Sequence, residues 1–330
     1  MTKKFLKNKA LAVKCVFSML LAAVSATEVA AQTDIREVSV TAPDGVELKG
    51  TLTVPDKGGE PVSLVIMIAG SGSPDRDGNQ KRAGVNTDCL KMTAEELEKA
   101  GTASLRFDKR MAGESIIPDM KEENMRFDDY ISDTRALVDK YYGDRRFSRI
   151  ILLGHSEGAL IAIAAAANNP KVGGLITVAG PGRNMADLLK EQLADRAPQL
   201  TASVTPIIDS LKAGKEYPGV PAELNSLFRP SVQPFLISCM RYEPAELIKQ
   251  VKCPILVIQG NMDIQVSLQD AEILCQANPA AKKAVIEGMN HVLKDTDTKD
   301  LQTQLFKTYM NPSVPLSAGY VKAVTAFAAD

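Results

Sequence analysis

Gly154-His155-Ser156-Glu157-Gly158 carries the sharpest chemical signal in the chain. The apolar run Ile150–Leu153 precedes these five residues, and an alanine-rich stretch with helical period follows them. A strand that turns abruptly into a helix around a central serine lifts the hydroxyl clear of the sheet. The positions two before and two after the serine must then lack a bulky side chain. Ser156 would sit in a strained backbone conformation at the start of its own helix, where developing negative charge is favoured. The chemistry implied is nucleophilic attack on a carbonyl, and an unassisted hydroxyl is too weak a nucleophile for it, so a base is required.

The sequence contains two histidines. His155 lies inside the turn, where its side chain is expected to point away from Ser156, which leaves His291 in the loop Glu287-Gly288-Met289-Asn290-His291. The imidazole needs a carboxylate to fix its tautomer and stabilise its cation. Asp263 supplies it, closing the stretch Gln259-Gly260-Asn261-Met262-Asp263 after the apolar run Ile255–Ile258. Asp270 falls in the next helix, and Asp295 and Asp297 come after the histidine, outside the order Ser, Asp, His. A tetrahedral oxyanion also needs donors. The backbone amide of Glu157 is one candidate, and the loop Ala69–Gly78 offers Ser71 as first choice and Gly72 as second.

The glycines of that loop do not make a phosphate site, because no Gly-Lys-Ser/Thr or Gly-x-Gly-x-x-Gly is present and two aspartates would repel the anion. Asp75, Asp77 and Asn79 resemble a calcium loop but lack its glycine and its terminal glutamate. Asp75, Arg76 and Asp77 are therefore read as a structural charge cluster under the loop. No metal or cofactor is called for.

Three distant side chains can converge only if the elements between them form a sheet with all three at one end. Two alternating stretches, Arg36–Ala42 and Val46–Val54, flank Pro43-Asp44-Gly45 and predict an antiparallel hairpin. Short continuous apolar runs follow at Leu64–Ala69, Ala103–Phe107, Ile150–Leu153, Leu175–Ala179, Ile255–Ile258 and Ala284–Ile286, as buried parallel strands require. Helical periods separate them at Thr93–Ala100, Phe127–Tyr142, Gly158–Asn168 and Leu268–Ala277, with Thr93 and Glu96 as a capping box. Strand alternating with helix predicts an α/β class, a mostly parallel doubly wound sheet whose ligands gather at the carboxyl ends of its strands. From about 182 to 250 no core strand is visible, and the interval reads as an inserted helical cap that would cover those strand ends and shape the pocket.

The N-terminus reads differently. Lys3, Lys4, Lys7, Lys9 and Lys14 precede the apolar run Val16–Val24, which small residues follow, the layout of a secretory signal peptide over residues 1–31. Val29-Ala30-Ala31 before Gln32 is the first cleavage candidate and Val24-Ser25-Ala26 the second. Cys15, lying before the apolar run, is not read as a lipid anchor. Removal would take the formal charge from −1 to −5, with 34 basic against 39 acidic side chains, leaving nothing basic to hold nucleic acid or an anionic membrane. No stretch approaches the roughly 18 consecutive apolar residues of a membrane span. Of the four remaining cysteines, Cys89, Cys239, Cys253 and Cys275, none has metal-site spacing. Three pairings can be drawn, and Cys253, before an apolar run, suits a buried thiol.

With these residues placed, the sequence resembles bacterial carboxylesterases of the α/β-hydrolase superfamily over nearly all of the chain after residue 31. The resemblance rests on the loop Gly70-Ser71-Gly72-Ser73-Pro74-Asp75-Arg76-Asp77, the turn Gly154–Gly158, the acid motif Gln259–Val266, and a segment Arg106–Ser115 that follows an Arg-x-Asp-Lys-Arg-Gly-x-Gly-x-Ser pattern except that Met111 replaces its first glycine. It implies an α/β-hydrolase fold and cofactor-free hydrolysis of a small-molecule ester with a short to medium acyl chain, through an acyl-enzyme on Ser156. Relatives of this kind include peptidases and carbohydrate esterases. A serine peptidase acting on short peptides would differ by cleaving amides as well as esters, and a catalytically silent binding protein would bind ligand regardless of Ser156.

Overall fold

The computed structural model describes residues 33–330, so the expected signal peptide lies outside the described residues. Eight strands form one sheet: β1 (Asp34–Thr41), β2 (Glu47–Val54), β3 (Val62–Ile68), β4 (Ala103–Phe107), β5 (Phe147–His155), β6 (Gly174–Val178), β7 (Ile255–Gly260) and β8 (Lys282–Ile286). Their spatial order is β1-β2-β4-β3-β5-β6-β7-β8. β1 and β2 are the expected antiparallel hairpin, closed by Ala42–Val46 with Gly45 at φ 89°, and β2 also runs antiparallel to β4. Every later pairing is parallel.

Helices cover both faces, which is why the central strands are apolar at successive positions. On one face Leu64, Ile66, Ile68, Ile150 and Leu152 pack beneath α2 (Phe127–Tyr141), α3 (Glu157–Ala166) and α9 (Leu268–Ala277). On the other, Val65, Met67, Ile151 and Leu153 pack against α1 (Cys89–Lys99) and α11 (Ala318–Ala329). α3 is buried all round, so its small alanines suit a position pressed against sheet and neighbouring helices.

Two local expectations fail. α1 begins four residues before Thr93, so Thr93 is no cap: its hydroxyl bonds back to the Cys89 carbonyl at 2.7 Å and meets Tyr320 Oη at 3.1 Å. β8 is not a buried strand but the sheet's edge, with Val285 48% exposed, because only β7 pairs with it.

Between β6 and β7 the chain makes five helices, α4 (Met185–Arg196), α5 (Thr201–Lys212), α6 (Asn225–Phe228), α7 (Gln233–Met240) and α8 (Pro244–Ile248), and no strand. The excursion has an apolar cluster of its own, including Val204, Ile207, Ile208, Leu211 and Phe228. Fully buried Asp270, in the first turn of α9, fastens its base by accepting from the amide of Gly182 and the guanidinium of Arg183. Past β8, a short α10 (Leu301–Gln304) runs into a π-helical turn, Leu305–Tyr309.

Candidate active site

The turn between β5 and α3 dictates the site. Ser156 stands at φ 55° and ψ −123°, a conformation a non-glycine residue rarely adopts, and its amide is fixed by the carbonyl of Val178 at 2.9 Å. Such strain survives because strand and helix touch at backbone level. A Cβ on residue 154 would lie 2.5 Å from Ala159 Cα, and one on residue 158 would lie 2.7 Å from the Ala69 carbonyl oxygen.

The structure brings together the three side chains expected to act on one another. His291 Nε2 lies 3.1 Å from Ser156 Oγ, and His291 Nδ1 lies 2.8 Å from Asp263 Oδ2. Asp263 is saturated with donors. Oδ2 also receives Gln259 Nε2 at 3.0 Å, and Oδ1 receives the amides of Gln265 and Val266 at 2.7 and 3.0 Å. Burial opposes ionisation of this carboxyl, yet the His291 imidazole and the two amides outweigh it and hold the group below its ordinary range. The imidazole therefore faces a carboxylate, which fixes the Nδ1–H tautomer and leaves Nε2 free to accept the serine proton.

The loop carrying His291 is braced from several sides. Asn290 Oδ1 accepts the amides of Val292 and Lys294, Asn290 Nδ2 reaches Thr308 Oγ1, and buried Lys294 donates to the Asn311 carbonyl. His155 makes no hydrogen bond to the serine hydroxyl, but it shares the serine's cavity and is not idle. Its Nε2 donates to the His291 carbonyl at 2.8 Å, and the two rings stand 5.0 Å apart. A carbonyl only accepts, so His155 must carry its proton on Nε2. Burial, helped by the neighbouring His291, pushes this imidazole down to about 4 and keeps it neutral.

Among the described residues, the amides of Ser71 and Glu157 donate to no protein acceptor, as oxyanion donors should be free to do. The Glu157 side chain turns the other way, into the protein, where it pairs with buried Lys109 at 3.0 Å. Asp75, Arg76 and Asp77 form the expected structural cluster. Asp75 Oδ1 accepts the amides of Asp77 and Asn79, Arg76 grips Asp108 at 2.7 Å and also pairs with Glu37 and Glu114, and Asp77 pairs with Arg106.

A cavity of about 260 Å³ opens onto Ser156 and His291. Its lining includes Gly70 and Ser71 of the loop after β3, Val85 and Thr87 of the loop before α1, and Gln265 and Tyr309. None of its lining comes from residues 181–251; helix α4 instead lines an adjacent cavity of about 330 Å³ that includes Asp263. The loop before α1 and the π-helical turn thus shape the space around the serine, a role the sequence assigned to the excursion. Among the described residues four cysteines carry free thiols, Cys89 and Cys239 buried, Cys253 and Cys275 half-buried.

A family model described as serine aminopeptidase S33 matches residues 83–233, a span that includes Ser156 and stops before Asp263 and His291. Est1E from Butyrivibrio proteoclasticus superposes with a TM-score of 0.56 at 17% identity, covering 88% of this chain and 96% of that one. The chain has the α/β-hydrolase fold. The esterase Pf2001 of Pyrococcus furiosus aligns with the same fold at a TM-score of 0.52 and 19% identity over 84% of this chain and 91% of its own. In sequence, the chain is 26% identical over 265 residues to esterase EstD of Thermotoga maritima, 79% of this chain but 61% of that protein's length.

Sequence reasoning missed four residues that serve this site: Lys109, His155, Gln259 and Tyr309. A signal for Lys109 existed in the run Asp108-Lys109-Arg110. Three consecutive charges directly after an apolar strand either reach solvent or are paired, and here Arg76, Glu157 and Asp133 pair them in that order. Gln259 likewise is the one polar side chain in β7, next to its last residue, Gly260. Tyr309 has no sequence signal, because a π-turn places it.

Proposed function

We propose that this α/β hydrolase is a serine esterase with Ser156 as nucleophile, His291 as general base and acid, and Asp263 as the group that orients and stabilises the imidazole. The observation that carries the proposal is the continuous chain Ser156 Oγ, His291 Nε2, His291 Nδ1, Asp263 Oδ2, with contacts of 3.1 and 2.8 Å. Ser156 Oγ attacks the ester carbonyl carbon as His291 Nε2 takes its proton, and the amides of Ser71 and Glu157 receive the oxyanion. The tetrahedral intermediate expels the alcohol, which takes the proton back from His291. Water, deprotonated by His291, then releases the acid and restores the serine. A cavity of about 260 Å³ suits short to medium acyl groups.

The family description favours a second activity, release of an N-terminal amino acid. An aminopeptidase must recognise a free ammonium, and among the described residues no acidic side chain lines the Ser156 cavity, whereas Glu191 and Asp195 line the adjacent one. We favour the ester substrate on that ground. A panel of p-nitrophenyl esters of rising acyl length, run beside aminoacyl p-nitroanilides with Ser156→Ala as control, decides between them. Turnover of short esters that vanishes in the variant is expected. Turnover of the anilides alone would favour the peptidase, and ligand binding without any turnover would favour a silent binding protein.

The proposal includes export, supported by the lysine-flanked apolar run and the small residues before Gln32. It also treats the helical excursion as a cap that borders the outer cavity. N-terminal sequencing of the mature protein tests the export.

A further inference from the structure

We infer that Lys109 is a positioning residue of the oxyanion hole, its buried ammonium setting the plane of the Gly70–Ser71 peptide so that the Ser71 amide faces the cavity beside Ser156. The inference rests on the proposed roles of Ser71 and Glu157 above.

Lys109 follows β4 with its side chain 1% exposed, an unusual place for an ammonium. All three of its directions are used. Nζ donates to the Gly70 carbonyl at 2.6 Å, pairs with Glu157 Oε1 at 3.0 Å, and stands 4.6 Å from the centre of the Tyr130 ring. One cation therefore ties together the two stretches whose amides would hold the oxyanion. Its own base is immobile, because Asp108 is gripped by Arg76 and Arg110 is paired bidentately with buried Asp133.

In a trans peptide the carbonyl of one residue and the N–H of the next point in opposite directions. Drawing the Gly70 carbonyl into the protein toward Lys109 turns the Ser71 N–H outward, and that amide has no protein acceptor among the described residues. The next carbonyl, Ser71 C=O, is held by Gln80 Nε2 at 3.0 Å, so the strip is gripped on both sides of the free amide. The strip also lies close to the reacting atoms. A Cβ on residue 70 would stand 3.2 Å from Ser156 Cβ. A buried ion pair contributes little to stability compared with apolar packing of the same volume, so its value here is geometric.

The test uses Lys109→Met, Glu157→Gln and the double variant, in the full enzyme. Lys109→Met leaves Glu157 buried without a partner and is expected to lower Tm. The double variant removes that unpaired charge and is expected to recover most of the Tm. If Lys109 positions the Ser71 amide, kcat for a short p-nitrophenyl ester falls about 30-fold in both, with KM within about twofold, because the lost interaction belongs to the transition state. Affinity for a trifluoromethyl ketone, whose adduct carries an oxyanion, falls in parallel. A double variant with parental kcat, or losses confined to Tm or KM, would overturn the inference. An inactive parent whose Ser156 resists a fluorophosphonate would sink the esterase proposal itself, and the inference with it. An active parent with unaffected variants would sink the inference alone.

Discussion

The floor of the site and the helical excursion between β6 and β7 are built on different principles. At the floor, backbone touches backbone: residues 154 and 158 have no room for a Cβ, Ser156 is strained, and α3 is buried on every side. In the excursion, helices α4 to α7 hold one another through side chains, chiefly Val204, Ile207, Ile208, Leu211 and Phe228, and contribute nothing to the cavity around Ser156. A floor of that kind tolerates no change of shape, whereas a side-chain cluster can repack. The difference predicts that substitutions at the floor cost stability and catalysis together, whereas substitutions in the excursion cost stability alone.

Gly158→Ala is the harshest way to break the comparison. Its methyl group must displace the carbonyls of Ile68 and Ala69 at the end of β3, so a loss of about 3–4 kcal/mol in stability is expected together with a loss of activity. Urea unfolding and ester turnover measured on one sample check it, and an active variant of parental stability would show that the turn has slack. His155 sharpens the comparison from the pH side. Its folded value of about 4 lies below the ordinary 6.5, so as pH falls below about 6.5 the unfolded chain takes up a proton that the folded chain refuses until about 4. The contribution is complete above about 6.5 and declines as pH drops toward 4, by roughly 3 kcal/mol. Unfolding free energies at pH 7 and 4.5 should differ less in His155→Gln than in the parent, and equal slopes would contradict the assignment. The mildest change is Ile208→Ala in the excursion, expected to cost about 2–3 kcal/mol while leaving kcat/KM for a short ester within about twofold. A tenfold loss there would mean that the excursion reaches the serine after all.

The same contrast explains what was legible in the sequence. The hairpin, the central strand runs and the convergence of Ser156, Asp263 and His291 could be anticipated, because each obeys a local rule of alternation, glycine spacing or chain order. Thr93 misled because a threonine followed three residues later by a glutamate looks like a cap wherever it falls, and the tertiary contact with Tyr320 placed it inside α1. Val285 misled because an apolar triplet does not reveal whether a strand has one neighbour or two. The cavity walls were invisible, since residues 78–90 and Tyr309 reach the serine through loop paths that no periodicity encodes. Met111 was noticed as a departure from a glycine pattern, and it stands at φ 65°, the left-handed conformation a glycine there would adopt at no steric cost.

The central claim is that Ser156 is activated by His291. Intact-mass measurement after treatment with a fluorophosphonate, followed by peptide mapping, tests it most directly. One adduct per chain on Ser156, formed at least about a thousandfold more slowly in His291→Ala, is the predicted result. A folded parent protein that takes up no adduct, or takes it up on another residue with Ser156 unmodified, would contradict the account.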